Sequence, residues 1–295
     1  MTISESVPLL KKHCFTLVQD RINELLEKSS FLRNDIKKAS FYSTLEGKKL
    51  RPLLMLFLAK ALNVPFEKVL DPACSVEMVH CFSLIHDDLP CMDDDSLRRG
   101  KPTLHVVYGE DKALLTGDFL LTYAFEVLVR TKLQDLEKVH MVKLLSHYTG
   151  NRGMIAGQCL DLNSIGKKIT SKTLIKMHYY KTACLLQCSF EMVAVLAKAS
   201  PTTYRLLKKL GAYLGIAYQI KDDILDITSP LPVLGKDPFS DENKKKPTAV
   251  SIWGLKKAKT QLVFFHQSMQ EILKKLSLKD TEFASLLEEI FQRNH

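Results

Sequence analysis

The chain has 295 residues, 46% hydrophobic and 25% charged, with 12 Gly and 11 Pro, a balance that excludes a fibrous or disordered chain. Lys and Arg outnumber Asp and Glu by 42 to 33, a net +9, but the basic residues are dispersed. No zinc-finger, RNA-recognition or basic-zipper pattern accompanies them, so no nucleic-acid partner is expected; a small polyanionic substrate accounts for the charge equally well.

No run approaches the roughly 18 apolar residues of a membrane span. The start "MTISESVPLLKKHCF" has neither a signal-peptide core nor a transit pattern, so a cytoplasmic address is expected, with a trimmed precursor left open. The seven cysteines form no C-x-x-C pair, and Cys184 and Cys188, on one helical face, read as buried thiols.

Apolar residues at three- and four-residue spacing predict helices over 9–28, 51–62, 71–88, 111–131, 171–199, 202–227 and 252–276. Segments 135–163 and 280–293 are helical as well. Breaks fall at "NVPFEKVLDP" (63–72), "RRGKPT" (98–103) and "NSIGKK" (163–168), and a long one rich in Pro, Gly and Lys at 228–248. No strand run and no internal repeat stands out. The expectation is one all-α domain of about ten helices over 1–295.

The stretch "HDDLPCMDDDSLRRG" (86–100) puts five aspartates into nine positions of a basic chain. Crowded carboxylates repel one another unless a cation joins them. A second cluster, "AYQIKDDILDITS", places Asp222 and Asp226 four residues apart on one face of an otherwise apolar helix, with Asp223 beside them. Buried carboxylates need compensation, and two all-oxygen sites point to Mg2+, which takes one or two carboxylates plus phosphates and water. On a straight helix Asp93 would lie about 240° around from Asp87. Pro90 is expected to end or bulge the helix and return Asp93 toward Asp87.

The pair "DDLPCMD" (87–93) and "DDILD" (222–226) resembles the two aspartate-rich motifs of the trans-isoprenyl diphosphate synthases, the farnesyl/geranylgeranyl diphosphate synthase family. "GKKLRP", "LRRGKPT", "GQCLDL", "YKTACLL", "YQIKDD" and "LGK" follow that family's order over roughly 45–250. The chain is most similar to bacterial-type farnesyl synthases. The resemblance implies an isoprenoid synthase fold, a helical bundle around a central cavity. It also implies a homodimer, and condensation of an allylic diphosphate with isopentenyl diphosphate by ionisation, condensation and elimination.

By the same resemblance Asp87, Asp88 and Asp93 bind Mg2+ on one side of the allylic diphosphate, and Asp222, Asp223 and Asp226 on the other, three ions in all. Asp94 and Asp95 read as solvated. Arg98 would contact the allylic diphosphate and Arg99 the isopentenyl diphosphate, as the guanidinium fork suits phosphate. Lys48, Arg51 and His80 resemble the rest of the isopentenyl site. Lys48 has a solvated lysine beside Lys49 as its rival reading, and His80 an ordinary core histidine. Lys181, in an apolar helix, needs an anion nearby. Thr182 and Gln219 would direct oxygen dipoles at the cation, which with Lys181 and Arg98 makes the catalytic set. Lys236 and Lys246 would close over the diphosphate, although the "KKK" run makes Lys246 equally a solvated charge. Gln158 and Asp161 resemble a supporting pair, with helix-surface polarity an even alternative. The chain departs from the family at Phe239, before Ser240 and Asp241, and at Thr248-Ala249-Val250, which puts the loop conformation and Lys246 in question.

Chain length in this family is set by bulk below the first motif. Phe82 lies five residues before Asp87, roughly 7–8 Å down the axis, and an aromatic there would floor the tunnel at C15. Ser83 is small and nearer Asp87's face, and the motif also resembles plastid-type geranylgeranyl synthases, so C20 and C10 stay open. A terpene cyclase is the first rival, disfavoured by "DDILD", which cyclases replace with an Asn/Ser/Glu-type triad. A non-catalytic partner subunit is the second, disfavoured because both motifs are intact.

Overall fold

The structure, a computed structural model, describes residues 3–29, 34–228 and 246–293. It is all-α as expected, and the chain divides into two compact units, Met1–Val142 and Lys143–His295. No helix among the described residues is long and apolar enough to cross a membrane.

In the first unit α1 (Ile3–Lys28), α2 (Asn34–Leu45), α3 (Leu50–Ala61) and α4 (Phe66–Asp87) precede a two-residue hairpin of β1 (Leu97–Arg98) and β2 (Lys101–Pro102). Short α5 (Leu104–Tyr108) and long α6 (Glu110–Arg130) follow, and α7 (Asp135–Thr149) runs across the unit boundary. Residues 52–59 of α3 and 72–79 of α4 are buried without interruption, Ser75 and Glu77 included. α4 packs chiefly against α6, where Gly117 leaves room for the His86 ring; a Cβ there would collide with it.

Helix α2 was not among the predicted helices. Its buried positions are Ala39, Ser40 and Thr44, so its inner face carries no large apolar residue for a periodicity count to find. Ser40 and Thr44 satisfy their hydroxyls on the carbonyls of Ile36 and Ser40, at 2.8 and 2.9 Å. Beyond the end of α2 at Leu45 stands Lys49, at φ +47 and fully buried, whose Nζ donates to the Thr44 and Glu46 carbonyls and lies 3.7 Å from buried Glu77. A lysine thus caps a helix C-terminus, where cations are favoured.

In the second unit α8 (Met154–Ser164), α9 (Ser171–His178), a π-turn (Tyr179–Ala183), α10 (Cys184–Leu196) and α11 (Pro201–Thr228) precede α12 (Ala249–Trp253), α13 (Leu255–Lys275) and α14 (Glu282–Gln292). The predicted 135–163 helix is two helices, broken around Gly150 and Gly153. The predicted 171–199 helix contains the π-turn. That turn sits between two glycines. A Cβ on Gly157 of α8 would strike the Lys181 backbone, and one on Gly215 of α11 would strike Ala183 Cα. Residues 184–194 of α10 are all buried, Cys184 and Cys188 among them as free thiols. Ala183, Ile216, Ala217, Ile220, Ile224 and Ala249 belong to one apolar cluster in this unit.

Candidate active site

The first aspartate motif grows from the end of α4. The helix stops at Asp87, Pro90 stands in the following turn, and Asp94 adopts φ +52. The Asp93 N–H donates to the Asp87 carbonyl at 2.9 Å, and the Met92 and Asp94 N–H groups to the Leu89 carbonyl at 2.8 and 3.2 Å. The backbone therefore brings Asp93 back to Asp87, as Pro90 and the spacing predict. Asp87 and Asp93 are half-buried and Asp94 is exposed.

Asp88 is paired with a protein cation. It is buried, and Arg98 Nε donates to its two oxygens at 2.8 and 2.9 Å. Burial outweighs that partner and pushes the Asp88 carboxyl upward. Asp95 lies 3.8 Å from the same guanidinium, so it has an ion-pair partner where solvent alone was expected.

Arg99, at φ +56 on the hairpin, rests its guanidinium against Gly47, which has φ +105 and where any Cβ would overlap it. Exposed Lys48 follows Gly47, and Arg51 lies in the first turn of α3. His80 is half-buried, two turns below Asp87 on α4. Burial first, then the charges of Arg51, Arg99, Arg98 and Lys49, hold its imidazole well below the usual 6.5. The fold thus brings Arg51, Arg98 and Arg99 within electrostatic reach of His80. On α4 the half-buried residues His80, Ser83, Leu84 and Asp87 recur at three- and four-residue spacing and form one accessible stripe. Phe82 lies off that stripe, buried, with its ring edge-on to His86 at 4.9 Å. The Ser83 hydroxyl donates to the His80 carbonyl at 2.9 Å.

In the second unit the π-turn carries Lys181 and Thr182, a local geometry frequent at functional sites. The anion beside Lys181 is Asp161 of α8, buried and ion-paired to it, with Lys246 Nζ 3.5 Å from the same oxygen. Burial alone would raise the Asp161 carboxyl, but the two ammonium groups bring it below its usual range. Asp161 is therefore no surface residue, and Lys246, 10% exposed in its side chain, is not part of a solvated run. Gln158, one turn earlier on α8, has both amide atoms buried with no hydrogen-bond partner among the described residues. Lys236, with Phe239, Ser240 and Asp241, lies outside the described residues.

The Thr182 hydroxyl donates to Oε1 of Gln219 on α11 at 2.9 Å, and Gln219 Nε2 donates to Asp223 Oδ1 at 3.1 Å. Asp223 Oδ2 accepts the Ala249 N–H at 2.6 Å and lies 3.3 Å from His178 Nε2. The variant Thr248-Ala249-Val250 segment thus starts a regular helix, with Thr248 and Ser251 forming a reciprocal cap. Asp223 and Asp226 are buried and Asp222 is half-buried. Asp222 pairs with Arg293, whose guanidinium stacks on the Tyr218 ring with Cζ 3.6 Å from its centroid. Arg293, His178 and Glu77 are supporting residues that the sequence does not single out. No local pattern distinguishes them, because each acquires its partner from a segment distant in sequence.

The donor set fits a hard divalent ion. Both motifs offer carboxylate oxygen only, and each already attracts a cation, Arg98 at Asp88 and Arg293 at Asp222. Among the described residues no three His, Cys, Asp or Glu side chains form a ready-made nest.

The family model described as Polyprenyl synthetase matches residues 33–290. A farnesyl diphosphate synthase of Geobacillus stearothermophilus is 40% identical over 265 residues, 88% of this chain and 89% of that one. A geranylgeranyl diphosphate synthase of Cyanophora paradoxa is 35% identical over 285 residues, 95% and 94% of the two chains. Among solved structures, a geranyltransferase of Helicobacter pylori complexed with magnesium and isoprenyl diphosphate superposes with a TM-score of 0.82 at 31% identity. It covers 95% of this chain and 96% of its own. An all-helical chain with two aspartate-rich motifs and a π-turn lysine is built as an isoprenoid synthase. The chain belongs to the polyprenyl synthetase family and is a trans-prenyl diphosphate synthase.

Proposed function

We propose that the chain joins isopentenyl diphosphate to dimethylallyl and then geranyl diphosphate, with Mg2+, and releases trans-farnesyl diphosphate (C15). The observation that supports a diphosphate-ionising site most directly is the return of Asp93 onto Asp87 by the 2.9 Å backbone bond, which sets two carboxylates at the end of one helix. Asp87, Asp88 and Asp93 on one motif, and Asp222 and Asp226 on the other, are the residues assigned to Mg2+; Asp88 also holds Arg98, and both Asp223 oxygens are taken up by protein partners. Bound Mg2+ supplies Lewis acidity to the departing diphosphate, as the magnesium and isoprenyl diphosphate named for the Helicobacter pylori relative suggest.

The protein's own part is positioning and charge. Arg98, Lys181 and Lys246 take the allylic diphosphate, with Lys236 assigned to the same task. Lys48, Arg51, His80 and Arg99 take isopentenyl diphosphate, and a neutral His80 serves there as a hydrogen-bonding group. Thr182 and Gln219 turn oxygen toward the allylic cation, and the departing diphosphate accepts the proton lost in the last step.

The C15 assignment is supported by Phe82, a buried aromatic below Asp87, and by farnesyl synthases among the relatives. A C20 product is the second reading, favoured by small Ser83 on the accessible stripe and by geranylgeranyl synthases among the relatives. One catalytic domain over 1–295 accords with a family match that runs on from the first unit into the second. A homodimer accords with the exposed apolar residues Val106, Val107, Leu114 and Leu115 on α5 and α6. Dimethylallyl, geranyl and farnesyl diphosphate, each offered with labelled isopentenyl diphosphate and Mg2+, decide the assignment when products are sized. C15 from the first two and no turnover of the third is expected; efficient extension of farnesyl diphosphate to C20 overturns it.

A further inference from the structure

We infer that His178 and Asp223 are a positioning pair that fixes the polarity of the Gln219–Thr182 dipoles; this rests on the reading that Thr182 and Gln219 face the allylic cation. Four side chains on two segments meet rung by rung. His178, the last residue of α9, and Thr182 in the π-turn are four residues apart, and Gln219 and Asp223 are four apart on α11. His178 Nε2 stands 3.3 Å from Asp223 Oδ2, and Thr182 Oγ1 stands 2.9 Å from Gln219 Oε1. Gln219 Nε2 joins the rungs by donating to Asp223 Oδ1 at 3.1 Å.

The direction of this chain follows from what each group can do. The Asp223 carboxylate accepts, so the Gln219 amide must turn its NH2 toward it and its carbonyl toward Thr182. Thr182 then has to donate, which leaves the hydroxyl lone pairs for an electron-poor partner. A flipped Gln219 would set its carbonyl against the Asp223 oxygen and spend a Thr182 lone pair on an amide N–H. Asp223 is itself held at the other oxygen by the Ala249 N–H at 2.6 Å and by His178. His178 is 3% exposed, and its Nδ1 has no hydrogen-bond partner among the described residues. The polar contact of its ring is that of Nε2 with Asp223. Both Asp223 oxygens are engaged by protein groups, and this assigns the residue to orientation, with metal ligation left to its neighbours in the motif.

The test compares His178→Leu, His178→Gln, Asp223→Asn and Asp222→Asn in the full-length enzyme. Mg2+ affinity is measured by calorimetry with inorganic diphosphate present, and folding by the melting midpoint from Trp253 fluorescence. For His178→Leu, kcat is expected to fall roughly tenfold or more, with KM for both diphosphates and Mg2+ affinity within about twofold of the parent. His178→Gln, which keeps a donor, recovers most of the loss. Asp223→Asn, which lets Gln219 flip, follows His178→Leu, whereas Asp222→Asn weakens Mg2+ affinity. The effects of His178→Leu and Gln219→Leu combine non-additively. An unchanged kcat in His178→Leu overturns the inference, as does a loss of Mg2+ affinity in Asp223→Asn equal to that in Asp222→Asn. So does a His178→Gln enzyme that melts like the parent and is no better than His178→Leu. The underlying reading fails separately, if Thr182→Val and Gln219→Leu are themselves without effect on kcat.

Discussion

Arg99 owes its place to the absence of one methyl group. Gly47 has φ +105 and lies under the guanidinium, so an alanine there would be strained in its backbone and would push Arg99 aside. Gly47→Ala is therefore expected to raise KM for isopentenyl diphosphate about tenfold, with KM for the allylic diphosphate changed much less; steady-state kinetics with each substrate varied in turn checks it. His80 supplies a second prediction. Its folded pKa lies well below 6.5, so between the two values the unfolded chain binds a proton that the folded chain does not. Stability contributed by the neutral ring is complete above 6.5 and is lost as pH falls below it, at no more than about 1.4 kcal/mol per pH unit. Urea midpoints measured from pH 7.5 down to 5 should fall more steeply for the parent than for His80→Gln.

Among the elements, the π-turn decides where Lys181 and Thr182 stand. One extra residue per turn is accommodated because Gly157 and Gly215 let two helices close on the turn's backbone. Neither Gly157→Ala nor Gly215→Ala has a flexible side chain to displace. Each is expected to lower stability by about 1–3 kcal/mol, the usual range for overpacking, and to reduce kcat by moving Lys181 or Thr182. Urea denaturation and single-turnover rates report the two effects separately. Long elements of this fold were legible because Leu, Ile and Val mark their inner faces, as in α3, α4 and α11. The π-turn was not, since nothing in "HYYKTAC" differs from an α-helix until glycines from elsewhere in the chain press on it. Helix α2 escaped for the opposite reason: its inner face is Ala39, Ser40 and Thr44. In the candidate site, the carboxylates could be read from spacing and Arg98 from the resemblance. Their actual partners could not, because Asp161 with Lys181, Asp222 with Arg293 and Asp223 with His178 are all pairs between separate segments.

At the scale of the whole molecule, the proposed function puts substrate ionisation and product size on one helix. α4 carries Asp87 at its end, His80 two turns below, and between them Ser83 and Leu84 on the same accessible stripe. A chain growing from a diphosphate held at Asp87 would run along that stripe, so bulk added on it should stop growth, and bulk removed beside it should prolong growth. Ser83→Phe places a ring directly on the stripe, and the main product is expected to shorten to C10. Phe82→Ala acts differently, because Phe82 is buried against His86. Removing its ring opens space next to the stripe, and C20 is expected to appear beside C15. Phe→Ala substitutions in a core cost about 3–5 kcal/mol, so total activity will fall whatever the ring does. The ratio of C20 to C15 from the same reaction is independent of the fraction of enzyme folded, and it is the quantity to measure. An unchanged ratio in Phe82→Ala, with Ser83→Phe shortening the product, would move the length determinant from the buried ring to the stripe itself.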